Sequence, residues 1–87
     1  MGGQMKLRDH GLSWQEIDGE LVILDLESSK YLTTNTSGAF LAKTLTDERS
    51  TDDLVDALVR EYGIDRERAT ADAGAFVEEL TRKGLLA

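Results

Sequence analysis

The sequence predicts an α+β domain in which three strands are followed by three helices. Three observations carry this. Asp18-Gly19 stands between two β-prone runs, and the apolar period changes from two to about 3.6 after Asn35. Two later apolar stripes each begin behind a capping residue, Ser50 or Thr51 for one and Asp65 for the other.

Glu20 to Glu27 holds Leu21, Val22, Ile23, Leu24 and Leu26. Alternate residues of a strand share a face, so Val22, Leu24 and Leu26 line one side and Leu21 and Ile23 the other. Upstream, Ser13 to Asp18 carries Trp14 and Ile17. Asp-Gly joins the two runs as a hairpin, because glycine takes positive φ without a Cβ clash. Trp14 reads as a half-buried hairpin residue, with ligand stacking as the alternative. Ser28, Ser29 and Lys30 make a second reversal, and Tyr31 to Thr34 forms a short third strand that Asn35 ends. The result is a three-stranded antiparallel meander. Residues 1–12 are polar and glycine-bearing and are expected to form a flexible N-terminal segment, with the domain itself over 13–87. Met5 and Leu7 do alternate with Lys6 and Arg8, as in a short strand.

Asn35 or Thr36 caps a helix over about Ser37 to Leu45, with Ala39, Phe40, Ala42 and Leu45 as its apolar stripe. Ser50 and Asp53 have the spacing of a capping box ahead of Leu54, Val55, Leu58, Val59 and Tyr62, an amphipathic pattern that Gly63 stops. Asp65 caps a third helix, Arg66 to Lys83, ended by Gly84. At about 100° per residue, Ala69, Ala73, Phe76 and Leu80 cluster on one side. Asp72, Glu79 and Lys83 flank that stripe on one side and Val77 on the other. The small Ala69 and Ala73 allow either tight packing on the sheet or a shallow groove.

A chain of 87 residues holds one domain with a modest core. Its formal net charge of −7 argues against a nucleic-acid or anionic-membrane partner, since phosphate binding needs a basic face. No apolar run approaches the roughly 18 residues of a membrane span. The absence of cysteine excludes disulfides and thiolate metal sites. The amino terminus lacks the apolar stretch of a signal peptide, and Lys6 stands where a myristoylation motif has Ser or Thr. A cytoplasmic location is expected.

Catalytic chemistry is hard to find. His10, the single histidine, lies in a polar, glycine-flanked segment. There is no G-x-S-x-G elbow, P-loop or G-x-G-x-x-G. Asp52, Asp53 and Asp56 lack the EF-hand spacing and its glycine, and their charge suits a helix N-terminus. Neither an enzymatic activity, a metal nor a cofactor is expected.

The short strand Tyr31 to Thr34, followed at once by a helix, belongs at the edge of the sheet with one row of backbone groups unpaired. Such an edge accepts an extended peptide as an added strand, and we expect this one to do so.

Five segments together resemble a known family. They are W-x-x-x-D-G-E-L-V-I-L-D at Trp14 to Asp25, K-Y-L-T-T-N-T-S-G-A at Lys30 to Ala39, S-T-D-D-L-V-D-A-L at Ser50 to Leu58, E-Y-G-I-D at Glu61 to Asp65, and D-A-G-A-F-V-E-E-L-T-R-K-G-L-L at Asp72 to Leu86. Their order and spacing resemble the PqqD-like family, the leader-peptide recognition elements of ribosomally made and modified peptides, and most of all the stand-alone members of lasso-peptide pathways. The resemblance implies a winged helix-turn-helix-like fold that binds a precursor's leader as a fourth, antiparallel strand. It implies that Tyr31, Leu32, Thr33 and Thr34 form the receiving edge, and that Asp72, Ala73 and Phe76, with Ala69 a turn earlier, form a helix wall. It further implies non-catalytic delivery of the peptide to a cysteine-protease-like leader peptidase and then a cyclase. One departure is Thr34, where the family usually has a hydrophobic residue. For Asp72 a peptide-pairing role and a solvated helix flank stand level, and Phe76 is either an anchor or core.

Two rival readings remain. A winged helix also serves DNA binding, but Asp52, Asp53, Asp56 and Glu61 on the second helix face only Arg60. A plain interaction or oligomerisation module would pair the edge strand with its own copy.

Overall fold

A computed structural model of the chain describes residues 3–87. Three strands, β1 (Leu12–Ile17), β2 (Glu20–Asp25) and β3 (Tyr31–Thr34), precede three helices, α1 (Thr36–Thr44), α2 (Thr51–Tyr62) and α3 (Arg66–Arg82). The sheet has the order β1-β2-β3 and is antiparallel throughout. The α+β class and the winged helix-turn-helix-like order of elements are as expected from the sequence.

The turn between β1 and β2 follows from its chemistry. Asp18 and Gly19 have φ of 53° and 82°, and Ile17 pairs with Glu20 across them. Positive φ at both central residues gives the hairpin turn whose twist matches that of its strands. At the second reversal Asp25 accepts from Glu27 N–H through Oδ1 and from the Ser28 hydroxyl through Oδ2. Ser29, at φ 62°, closes the loop by donating to the Asp25 carbonyl.

The helix starts are capped as their sequences dictate. Asn35 Oδ1 accepts from Gly38 N at 2.9 Å. Ser50 and Asp53 form a reciprocal box, and Asp65 accepts from Arg68 N at 2.8 Å. Each cap satisfies amides that would otherwise lack partners, an effect of about 1 kcal/mol.

Leu21 and Ile23 of β2 and Leu32 of β3 face the helices and bury against Leu41, Leu54, Leu58 and Leu80. Val22 and Leu24 lie on the outer side of the sheet and are half-buried. Trp14, opposite Ile23 in the register, stands on the helix side of β1 at 36% exposure. Beside the core, Phe40 meets Tyr62 edge to face at 5.7 Å.

The amino-terminal segment differs from expectation. Met1 and Gly2 of the expected flexible lead-in lie outside the described residues. Met5 exchanges backbone hydrogen bonds with Arg49, and Leu7 pairs with Leu86 and is 2% exposed within the core. The physical reason is the apolar alternation of Met5 and Leu7, whose partners are all distant in sequence. Residues 5–8 are therefore part of the packed body.

Candidate functional site: an open sheet edge facing a helix

β3 is the last strand of the sheet, and its bonding pattern decides which of its backbone groups are free. Asp25 N–H donates to the Lys30 carbonyl at 2.8 Å. Bonded pairs in an antiparallel ladder recur at every second residue. With the register Ile23↔Leu32 and Leu21↔Thr34, Leu32 and Thr34 direct their N–H and C=O groups to β2. Tyr31 and Thr33 turn theirs to the open edge. Their side chains are exposed, whereas those of Leu32 and Thr34 are buried on the helix side.

Across from this edge stands α3, which packs on α2, while β3 packs on β2 and α1. Between β3 and α3 runs a cleft of about 500 Å³. Leu32, Thr33 and Thr34 form one wall and Arg68, Asp72, Ala75, Phe76 and Glu79 the other, with Gly38 and Leu41 of α1 at the base. A second hollow of about 470 Å³ continues it past Tyr31 toward Lys83 and shares Leu32, Thr33 and Glu79 with the first. The mouth is ionic: Arg68 lies 3.8 Å from Asp72, and Lys83 lies 3.6 Å from Glu79. The Arg68–Asp72 pair is solvent-exposed, so it contributes at most about 1 kcal/mol and is readily re-partnered, whereas Glu79 and Lys83 are half-buried.

The structure brings together six of the eight residues expected at the site: Tyr31, Leu32, Thr33, Thr34, Asp72 and Phe76. Phe76 is half-buried, with part of its ring against the core and part lining the cleft. Ala69 and Ala73 are corrected: both are fully buried in the core and do not line the cleft. Their small size serves close packing of α3 on the body. The residues that do form the wall, Arg68, Asp72, Ala75 and Glu79, recur at i, i+4, i+7 and i+11, one step around the helix from the alanines. That polar-flanked stripe was the available signal, and Arg68, Ala75 and Glu79 were missed because the apolar stripe drew the reading.

Thr34, the departure from the family pattern, is 6% exposed, and its Oγ1 lies 3.3 Å from both the amide and the carbonyl of Leu21. The hydroxyl is therefore satisfied internally, which removes most of the cost of burying it.

Asp25 anchors the approach to β3. The Arg8 guanidinium beside it, helped by Glu27 N–H and the Ser28 hydroxyl, outweighs the effect of burial and holds its carboxyl at about 2, below the usual 3.8. Among the described residues, no group of three or more metal-ligating side chains is placed to hold an ion, and no helix is long and apolar enough to cross a membrane.

A winged helix-turn-helix-like body with one sheet edge left open beside a helix is the class of domain that this geometry defines. The chain belongs to the PqqD family: residues 20–86 match the family described as Coenzyme PQQ synthesis protein D. Two solved structures are similar over nearly the whole chain. One is described as TbiB1 in complex with the TbiA(beta) leader peptide, with a TM-score of 0.81, 30% identity, and coverage of 94% of each chain. The other is described as lasso peptide synthetase B1 complexed with the leader peptide, with a TM-score of 0.78, 30% identity, and coverage of 95% of this chain and 96% of that one. A search of curated proteins gave no match.

Proposed function

We propose that this protein is a non-catalytic binding protein that captures the leader peptide of a ribosomal precursor, most specifically a lasso-peptide precursor, as a fourth strand on β3. The observation that carries this reading is the free N–H and C=O of Tyr31 and Thr33, turned toward a cleft walled by α3. The leader complexes of the two similar structures support it.

Magnitudes define what each part contributes. Four edge hydrogen bonds at roughly 0.5–1.5 kcal/mol each give about 2–6 kcal/mol. Association costs at least about 4 kcal/mol, and micromolar binding needs about 8 kcal/mol net. The edge alone therefore cannot hold a peptide at micromolar concentration. Apolar side chains of the guest, seated on Leu32, Leu41 and Phe76, supply the difference, and one such anchor contributes about 2 kcal/mol or more. Asp72 and Arg68 at the mouth offer hydrogen bonds to polar guest residues.

The bound leader is handed to a cysteine-protease-like peptidase and then to a cyclase in the cytoplasm. For the peptidase we assign the outer face of the sheet, which the helices leave uncovered. Val22 and Leu24 lie there half-buried, with exposed Ile17 and Tyr31. Tyr31 and Thr33 belong to both this face and the edge, so an enzyme docked there would touch the guest strand.

The test is fluorescence polarisation with a labelled synthetic leader peptide of a lasso-peptide precursor, against a scrambled control. Saturable binding of the leader alone is expected. Equal binding of both peptides would overturn the reading.

A further inference from the structure

We propose that Arg8 is a positioning residue for the cleft, joining the turn that feeds β3 to the exit of α3. The proposal rests on the peptide-binding reading for its functional consequence, but its geometry stands apart from it. Arg8 contacts both the turn that precedes β3, at Asp25 and Glu27, and the segment that follows α3, at Leu85. Its Nη2 atom lies 2.7 Å from Asp25 Oδ1, and its backbone N–H donates to the Leu85 carbonyl at 3.0 Å. Asp25 is 4% exposed and passes the constraint on: Oδ2 accepts from the Ser28 hydroxyl, whose oxygen accepts from Lys30 N–H, and Tyr31 follows. On the other side, Leu85 lies just past α3 and its C-cap Lys83, and Glu79 of the last turns and Lys83 reach the same end of the cleft.

Residues 5–8, the strap that carries Arg8, are themselves fixed. Leu7 is buried and its N–H donates to the Leu45 carbonyl, while the Lys6 carbonyl accepts from Ala87 N–H. The guanidinium therefore reaches the turn from an anchored point. Among the described residues, no other side chain of the strap forms an ion pair with the β2–β3 region. Loss of the Arg8–Asp25 pair leaves the strap in place and the turn held by its own hydrogen bonds and by Leu26 N–H on the Gly11 carbonyl, so the Tyr31 end of the edge loses its ion-pair tie to the strap and its distance from Lys83 is less tightly set. A guest then meets an edge that must be ordered on binding, and affinity falls.

The chain has no cysteine, so Ser29→Cys and Lys83→Cys accept spin labels without background. The distance distribution between them is measured by pulsed electron resonance in the parent, Arg8→Gln and Arg8→Lys backgrounds, with no peptide present. Leader affinity is measured separately on unlabelled protein. The expected result is a broadened distribution and roughly fivefold or greater weakening in Arg8→Gln, with Arg8→Lys between it and the parent. A distribution as narrow as the parent's in both variants, whatever happens to the unfolding midpoint, would overturn the proposal and leave a merely stabilising ion pair. Should Arg8→Gln not fold, the Arg8→Lys distribution decides alone. If the labelled leader fails to bind the parent protein, the peptide reading falls and the distances still decide the role of Arg8.

Discussion

Thr34 grips Leu21 with its side chain as well as by strand pairing: its hydroxyl oxygen lies 3.3 Å from both the amide nitrogen and the carbonyl oxygen of that residue. The methyl side of Thr34 meets α1, where a Cβ added at Gly38 would come within 2.9 Å of Thr34 Cβ. The last residue of the edge strand is thus locked between β2 and the first turn of α1. We expect Gly38→Ala to destabilise the fold by about 1–3 kcal/mol, because neither neighbour is a flexible side-chain end. Urea denaturation followed by circular dichroism measures this, and an unchanged midpoint would contradict the close packing.

Proline separates the two roles of β3. Thr33 turns its N–H to the open edge, so Thr33→Pro keeps every bond to β2, removes one bond to the guest and obstructs the edge. Leader affinity is expected to fall by about tenfold or more, about 1.4 kcal/mol, with the circular dichroism spectrum retained. Leu32→Pro removes a bond to β2 and a buried side chain, and is expected to unfold the domain.

Phe76→Ala removes the aromatic part of the cleft wall. Leader binding is expected to weaken by about tenfold or more, the loss of about 1.4 kcal/mol. Since the ring also touches the core, the unfolding midpoint should drop modestly. Polarisation and denaturation on the same samples separate the two effects. Unchanged affinity would remove α3 from the site.

Stability should fall at acid pH through Asp25. Its folded value of about 2 lies below the usual 3.8, so the unfolded chain binds the proton more readily between the two. The extra stability is present above about pH 4 and is lost as pH falls toward 2. Asp53, lowered chiefly by the Ser50 N–H it accepts from, adds in the same direction. Urea midpoints across this window should decline in the parent protein and decline less steeply in Asp25→Asn.

The sequence made the edge strand and helix caps legible because their signals are local. Asp18-Gly19 and the Ser50–Asp53 box each fix a boundary within four residues, and the bounds of β3 agree with expectation to the residue. Tertiary placement was less legible. Ala69 and Ala73 share a wheel face with Phe76, but helical period alone does not say whether such a face meets the core or a cleft. Met5 and Leu7 alternate with Lys6 and Arg8 as in a short strand, but two apolar residues in a polar, glycine-bearing segment do not say whether that strand packs. The burial of Leu7 depends on Leu45 and Leu86, far along the chain.

The most direct test of strand addition is an amide-resolved NMR titration of the protein with its leader peptide. Tyr31 and Thr33 are expected to shift most among the strand amides and to become protected from solvent exchange, with Asp72 and Phe76 responding on the facing helix. Saturable binding that leaves Tyr31 and Thr33 unshifted, with the response elsewhere, would contradict it.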